Sequence, residues 1–284
     1  MTIAVASGKG GTGKTLVATS LAWLLSRESD TLLLDLDVEE PNAHLFFDAQ
    51  LVNSELVTGM IPVIEEEFCT HCGLCQRVCA YHALLVLPDQ VLVFPELCKS
   101  CNGCLALCPE GAIISGKKSI GVVEYREAGR LRLYSGRLDI GATDAPSLIR
   151  ALKSHARDAL GHVLLDAPPG TACPAVEAVR SADLTVLVAE STPFGLHDLD
   201  LMVRTMRKLH QAFVVVINKA VPHDDSLHEY CAREGIRLLA EIPYREDIAR
   251  SCARGHLLPE ALPETLPLFE RILDGILHAE EVRA

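Results

Sequence analysis

Two groups of residues in this chain of 284 residues have the types and spacing needed for chemistry. The first is the run GKGGTGKT, which matches the phosphate-binding pattern G-x-x-x-x-G-K-[ST] in full. Its glycines let the backbone approach a ligand closely, so N–H groups can surround phosphate oxygens. We expect Lys14 to reach the β- and γ-phosphates of a nucleotide and the Thr15 hydroxyl to bind Mg²⁺. The predicted phosphate loop comprises Gly8, Lys9, Gly10, Gly11, Thr12, Gly13, Lys14 and Thr15.

The second group is a set of cysteines, because eight of the eleven lie between residues 69 and 108. They form two copies of the pattern C-x2-C-x2-C-x3-C, offset by 29 residues. This spacing is typical of bacterial proteins with two [4Fe–4S] clusters, in which the fourth cysteine of each run binds the other cluster. It predicts a first cluster on Cys69, Cys72, Cys75 and Cys108, and a second on Cys98, Cys101, Cys104 and Cys79.

Zinc and disulfides are the competing interpretations of these thiols. Paired C-x2-C motifs can build tetrahedral zinc sites, but two consecutive four-cysteine runs with a closing C-x3-C fit zinc poorly. Disulfides are rare in a reducing cytosol. The duplication predicts two half-modules packed as a pseudo-symmetric pair.

The elements that position these residues are apolar runs followed by polar ones. Residues 3–6 predict a buried strand before the loop, and residues 16–27 predict a helix after it. Residues 31–34 and 162–165 predict two more strands, which lead directly to Asp35 and Asp166. Parallel sheets bind ligands at the carboxyl ends of their strands, so acidic side chains there are candidates for the same site. Further strands are predicted at 184–189, 213–217 and 238–242.

The early lysine of GKGGTGKT makes the loop resemble the deviant Walker A motif of the MinD/ParA group of P-loop ATPases. The resemblance implies that Lys9 reaches across a dimer interface to the nucleotide of the partner subunit. It also implies that Asp37 positions or activates the attacking water, that Asp35 supports the Mg²⁺ shell, and that Asp166 holds Mg²⁺ as the Walker B acid. The catalytic residues would then be Lys9, Lys14 and Asp37.

The same resemblance extends to the residues around the nucleotide. The backbone of Gly170, in the run APPG after the Walker B strand, would sense the γ-phosphate. Asn218 would contact the edge of adenine, and Pro243 would pack beside the base. The run Asn-Lys-Ala-Val lacks the aspartate of the GTPase N-K-x-D motif, which favours adenine over guanine.

The predicted fold class is α/β, with a mostly parallel P-loop NTPase sheet, helices on both faces, and an inserted small α+β ferredoxin module of the 2[4Fe–4S] type. The predicted domains are residues 1–61 and 117–284 for the ATPase and residues 62–116 for the insert. Residues 122–125 and 131–134 predict a strand pair, and residues 146–160 predict a helix. Residues 263–284 predict an amphipathic helix that lacks a cationic face, which argues against a direct membrane anchor.

Composition narrows the functional classes. A formal net charge of −12 argues against non-specific nucleic-acid binding. No apolar run approaches the ~20 residues of a membrane span, and no basic leader with an apolar core precedes the first strand, so we expect a cytoplasmic protein. Acidic residues around the cysteines suit docking to a basic redox partner or a multiprotein complex, and they fit an ordinary solvated surface equally well.

These features predict an ATP-driven redox switch that uses ATP/ADP, Mg²⁺ and two [4Fe–4S] clusters. On binding ATP it would dimerise with an identical or related subunit. One alternative is an ATP-gated carrier or scaffold for iron–sulfur clusters. Another is a ParA/MinD-like positioning ATPase whose clusters are structural.

Overall fold

The computed structural model describes residues 1–157 and 159–279. In these residues the strands are β1 (Thr2–Ala6), β2 (Thr31–Asp35), β3 (Gln50–Ile64), β4 (Leu84–Val86), β5 (Val91–Val93), β6 (Ile113–Ala128), β7 (Leu131–Leu138), β8 (His162–Asp166), β9 (Leu184–Glu190), β10 (Phe213–Ala220) and β11 (Leu238–Pro243). The helices are α1 (Lys14–Ser26), α2 (Leu74–Val78), α3 (Gly103–Leu107), α4 (Ala145–Ser154), α5 (Cys173–Val179), α6 (Pro193–Lys208), α7 (Ser226–Glu234), α8 (Glu246–Ala253), α9 (Leu258–Ala261) and α10 (Leu266–Leu277).

Nine strands form one sheet in the described residues, in the order β11-β10-β9-β1-β8-β2-β7-β6-β3. The strands from β11 to β7 run parallel, which confirms the prediction of a mostly parallel α/β sheet. Most of these strands are continuous apolar runs because helices cover both faces of this part of the sheet, whereas β7 mixes apolar and polar residues. β6 pairs antiparallel with both β7 and β3, and its pairing with β7 contains the predicted strand pair of residues 122–125 and 131–134.

Side chains of β1 show how the sheet divides the core. Ala4 and Ala6 pack on one face, with helices α4 to α7, whereas Ile3 and Val5 pack on the other face, with α1, α8, α9 and α10. Successive side chains of a strand point to opposite faces, so each buried strand contributes to both cores. β1 therefore lies between two apolar layers, with the phosphate loop at its carboxyl end.

β3 was not predicted from the sequence. Residues 50–56 are exposed and mix polar with apolar side chains, so they lack the apolar run that marks a buried strand. The strand forms because β6 supplies a long antiparallel partner, from Gln50 opposite Glu127 to Ile64 opposite Ile113. The predicted insert boundaries at 61/62 and 116/117 fall within β3 and β6, so the cysteine segment continues the same two strands.

Two helix predictions need correction. The helix predicted over residues 146–160 ends at Ser154, and residues 155–157 form turns. Where a helix was predicted over residues 263–284, the structure has a 3₁₀ turn at Pro263–Thr265 followed by α10. The last five residues of that prediction lie outside the described residues. Among the helices of the described residues, none combines the length and apolar character that crossing a membrane requires.

The cysteine segment between β3 and β6 is internally repeated at the level of the backbone. The left-handed residues His71, Gly73 and His82 recur 29 positions later as Ser100, Asn102 and Gly111. Helices α2 and α3 obey the same offset. The ladder of β4 with β5 repeats the ladder that residues 62–64 form with residues 113–115. The segment is therefore two similar halves packed around an apolar cluster that includes Leu84, Val91 and Ile113.

We expect the α10 face of the sheet to depend on Phe269, which is fully buried. Truncation by Phe269→Ala should lower the free energy of unfolding by ~3–5 kcal/mol, because it leaves a large cavity. The matched control Phe194→Ala removes an exposed ring and should change stability by less than ~0.5 kcal/mol. Urea denaturation followed by circular dichroism measures both, and equal losses would contradict this account of the core.

Candidate functional site

The predicted phosphate loop lies between β1 and α1, with Lys14 as the first residue of the helix. Gly13 adopts a left-handed conformation with φ of 92°. A Cβ atom there would lie 2.1 Å from Nδ2 of Asn218, so only glycine fits. Lys14 is buried although it is a lysine, as expected for a side chain that points into a binding site.

The Lys14 ammonium lies 3.2 Å from Oδ2 of Asp37, so the structure brings two of the three predicted catalytic residues together. Asp35 organises the backbone of the same loop. One of its carboxylate oxygens accepts from Asp37 N–H at 3.2 Å, and the other accepts from Asn42 and Ala43 N–H at 2.9 Å each. Both carboxylate oxygens of Asp35 therefore already accept backbone hydrogen bonds. Its contribution to a Mg²⁺ shell stays a prediction.

Asp166 faces Asp35 across the pairing of β2 with β8. It is fully buried, and in the part of the chain that the structure describes neither of its carboxylate oxygens has a hydrogen-bond partner. Burial raises its pKa to about 6, and the nearby Lys14 ammonium and Thr15 hydroxyl oppose that rise. Burial also raises the pKa of Asp35 to about 7, with the Asp166 charge adding to the rise.

An unpartnered, buried carboxylate next to Lys14 fits a bound cation, because hard cations such as Mg²⁺ take oxygen ligands. Asp166 is therefore the carboxylate that the geometry favours for the metal. Thr15, in the first turn of α1, remains the predicted hydroxyl ligand. Gly170 is left-handed, and its N–H donates to Ser7 O at 2.9 Å, which ties the loop after β8 to the start of the phosphate loop.

Lys9 makes a contact that the sequence did not predict. Its ammonium hydrogen-bonds the carboxylate of Glu190, at the end of β9. Lys219 contacts the same carboxylate at 3.2 Å and donates to Gly11 O at 2.7 Å. Although burial raises the pKa of Glu190, the hydrogen bonds from the two lysines lower it below its ordinary value. A single glutamate at a strand end carries no motif, so sequence reasoning had no signal for it.

Asn218 is buried beside the loop, and its amide is engaged internally. Nδ2 donates to Thr12 O at 2.7 Å, and Oδ1 accepts from Lys219 N–H at 2.9 Å. Pro243 is exposed at the end of β11. The roles predicted for these two residues toward the base stay predictions.

An open cleft lies beside the phosphate loop and α1. Its wall includes residues to which the sequence analysis gave no role and which come from distant segments. They are Asn42, Leu45 and Phe46, which follow β2, and Cys252, Ala253, Arg254 and Gly255, from the C-terminal part of the chain. Their position next to Gly13 and Thr15 makes them candidates for contact with a nucleoside.

The cysteines predicted to bind the first cluster lie around one cavity. Cys69, Cys72, Cys75 and Cys108 line it together with apolar residues such as Ile64. Burial raises the pKa of the Cys75 thiol, and the neighbouring Cys69 and Cys72 add to the rise. All eleven cysteines are free thiols, so the disulfide alternative finds no support. The four sulfurs and the apolar wall fit a cluster held by thiolates.

The second group is similar but more enclosed. Cys98 and Cys104 are buried, whereas Cys101 is exposed. Burial raises the pKa of the Cys104 thiol, with Cys98 and Cys101 close enough to contribute. Cys79 packs in the same apolar cluster as Cys104, and its sulfur accepts from Ala83 N–H at 3.3 Å. The fourth cysteine of the first run thus lies between the two halves.

Loop, helix and buried carboxylates together define a P-loop nucleotide-binding protein of the α/β class. A family model described as the CobQ/CobB/MinD/ParA nucleotide binding domain matches residues 3–258, and the chain belongs to this family. The predicted membership of the MinD/ParA P-loop group is confirmed.

Two uncharacterized proteins of Methanocaldococcus jannaschii are similar in sequence. One is 32% identical over 77% of this chain and 78% of its own length, and the other is 28% identical over 88% and 96%. Among solved structures, MinD of Pyrococcus horikoshii complexed with Mg-ADP matches with a TM-score of 0.61 and 19% identity, over 100% of this chain and 99% of its own. MinD in the MinC:MinD complex of Aquifex aeolicus matches with a TM-score of 0.55 and 16% identity, over 96% and 93%. These structures support the fold.

We expect the two buried carboxyls to make stability depend on pH when no metal is bound. At pH 5 to 6 the folded protein retains protons on the buried pair Asp35 and Asp166 that the unfolded chain has lost, so unfolding releases protons. The free energy of unfolding should therefore fall as pH rises from 5 to 7. Urea titrations in a chelator at both pH values measure this slope. Asp166→Asn should reduce it, and an unchanged slope would contradict the assignment.

Proposed function

We propose that this protein is a Mg-ATP-dependent dimeric switch that carries two [4Fe–4S] clusters and couples its nucleotide state to an electron-transfer partner. The observation that carries the proposal is the presence of two sites on one scaffold. A phosphate loop with a free buried carboxylate lies at the centre of the sheet, and eight thiols lie in two groups at its antiparallel edge.

The nucleotide site has the parts that phosphoryl transfer needs, namely positioning and neutralisation of charge. The loop backbone and the N-terminus of α1 bind the phosphates, and Lys14 neutralises their charge. Thr15 and Asp166 hold Mg²⁺. Asp37, released from Lys14 when phosphate takes its place, orients the attacking water.

The thiol groups have the chemistry of cluster ligands. Cys69, Cys72, Cys75 and Cys108 hold the first cluster, and Cys98, Cys101, Cys104 and Cys79 hold the second. Such clusters supply one-electron transfer at potentials set by charge, hydrogen bonds and exposure. The protein surrounds them with apolar side chains while it leaves Cys72 and Cys101 near the surface. Exposed Glu66, Glu67 and Glu110 near the first group favour a basic redox partner.

Dimerisation would release Lys9 from Glu190 and carry its ammonium to the nucleotide of a second subunit, identical or related. The Lys9 side chain is one-third exposed, so it is accessible for this movement. A positioning ATPase with structural clusters is the second candidate, favoured by the MinD-like fold. A cluster carrier is less favoured because Cys98 and Cys104 are buried.

Anaerobically purified protein should contain about eight iron and eight sulfide per chain. Cys75→Ala removes a ligand of the first group and should lower the iron content to about half, because the second group is intact. Cys173→Ala, outside the two groups, is the matched control and should leave iron unchanged. Iron and sulfide assays with electron paramagnetic resonance measure this. Stoichiometric zinc in place of iron would overturn the cluster assignment.

Lys9→Ala should retain Mg-ATP binding but lose ATP-induced dimerisation. Hydrolysis should slow by ~10³-fold or more, the scale of a cation supplied from a partner. Lys208→Ala changes an exposed lysine on α6 and should behave as wild type. Phosphate release and sedimentation with and without ATP test the pair of variants. Wild-type dimerisation by the Lys9 variant would contradict the proposed role of this lysine.

A potentiometric titration separates the two candidate functions. For the redox switch, the cluster potentials should shift when Mg-ATP binds. For a positioning ATPase with structural clusters, they should be the same with and without nucleotide.

A further inference from the structure

Residues 138–145, which we call the bridging segment, join β7 to α4 and contact the nucleotide side of the molecule at both ends. At the start, Leu138 N–H donates to Val38 O at 2.8 Å. Val38 directly follows Asp37, the carboxylate paired with Lys14. At the end, Ala145 lines a pocket whose other walls belong to the loops after β2 and β8, including Asp37, Val38, Pro168 and Pro169.

The middle of the bridging segment contacts the cysteine module. The Thr143 hydroxyl donates to Glu96 O at 2.9 Å, and the Lys99 ammonium donates to Thr143 O. Glu96 and Lys99 flank Cys98 in sequence, and Lys99 also precedes Cys101 by two positions. The segment therefore holds the backbone that presents the second group of thiols.

Strands of the sheet secure the same half of the module. Lys118 of β6 donates to the carbonyl oxygens of Pro95 at 2.8 Å and Cys98 at 2.6 Å. Ser100 packs so closely on β3 that a Cβ at Gly59 would lie 2.5 Å from its hydroxyl oxygen. The backbone around Cys98 is thus held on several sides by the nucleotide-binding part of the chain.

The first half of the module lacks these contacts. By the 29-residue repeat, Glu67 and Thr70 correspond to Glu96 and Lys99. In residues 1–157 and 159–279, the bonds that Thr143 makes to the Glu96 carbonyl and the Lys99 ammonium have no counterpart at the Glu67 carbonyl or the Thr70 side chain. The internal symmetry of the module is therefore broken by its attachment to the sheet.

We propose that the bridging segment transmits the nucleotide state to the second group of thiols and not to the first. This inference rests on the proposed function. Bound phosphate replaces Asp37 as the partner of Lys14, so the contacts of the loop after β2 differ between nucleotide states. A ligand shifts a conformational equilibrium only through such differences. The hydrogen bond from Leu138 to Val38 moves the start of the segment, and Thr143 carries the movement to the backbone around Cys98.

Hydrogen–deuterium exchange of the full-length anaerobic protein, with and without Mg²⁺ and a non-hydrolysable ATP analogue, tests the proposal. Exchange in residues 94–104 should change when the analogue binds, while exchange in residues 65–75 should not. Thr143→Val keeps the shape of the side chain but removes its donor, and it should abolish the change while calorimetry gives unchanged nucleotide affinity. Lys99→Met, which removes the second hydrogen bond, should have the same effect.

Thr205→Val is the matched control, because its hydroxyl also donates to a carbonyl oxygen, that of Leu201 at 2.8 Å, but on α6. It should respond to nucleotide as wild type does. If the protein contains iron and binds the analogue but exchange in residues 94–104 does not change, the coupling is wrong and the proposed function stands. Equal changes in both halves, or a full response in Thr143→Val, would also overturn it. Absence of nucleotide binding would overturn both proposals.

Discussion

Two buried carboxylates at the centre of the sheet, Asp35 and Asp166, are the constraint on which the nucleotide side depends. They lie opposite each other because β2 and β8 are parallel neighbours in register. Burying two like charges is costly unless each finds a partner. Asp35 finds backbone N–H groups, and through them shapes the loop that holds Asp37. Asp166 has no hydrogen-bond partner for either carboxylate oxygen in the described residues, and it lies near Lys14 and Thr15. Under the proposed function, a cation beside Asp166 and an anionic ligand beside Lys14 would complete the arrangement together.

Local patterns were sufficient to predict this centre. β1, β2, β8, β9 and β10 contain apolar runs of their own, and the phosphate loop is contiguous in sequence, so predicting them does not depend on knowing the tertiary structure. The remainder depends on distant segments. β3 is specified by its pairing with β6 rather than by its own composition. Glu190 matters because β9 ends beside Lys9, and the cleft wall at residues 252–255 comes from the far end of the chain.

The cysteine segment shows the same division between local and tertiary information. The 29-residue repeat predicted two similar halves, and the backbone repeats its left-handed turns at that interval. A symmetric sequence cannot indicate which half faces the sheet. That asymmetry comes from Lys118, Gly59 and Thr143, which belong to other elements and, in the part of the chain that the structure describes, lie against the second half and not the first. The two groups of thiols thereby acquire different surroundings.

The pairing of Ile64 with Ile113 has a consequence for how such a chain can change. Because the chain leaves β3 and re-enters β6 at this one residue pair, the two ends of the cysteine segment are adjacent. Closing that gap with a short turn would cost little loop entropy and would leave the rest of the ladder intact. We therefore expect a chain in which a short turn replaces residues 65–112 to keep the fold of its nucleotide-binding part.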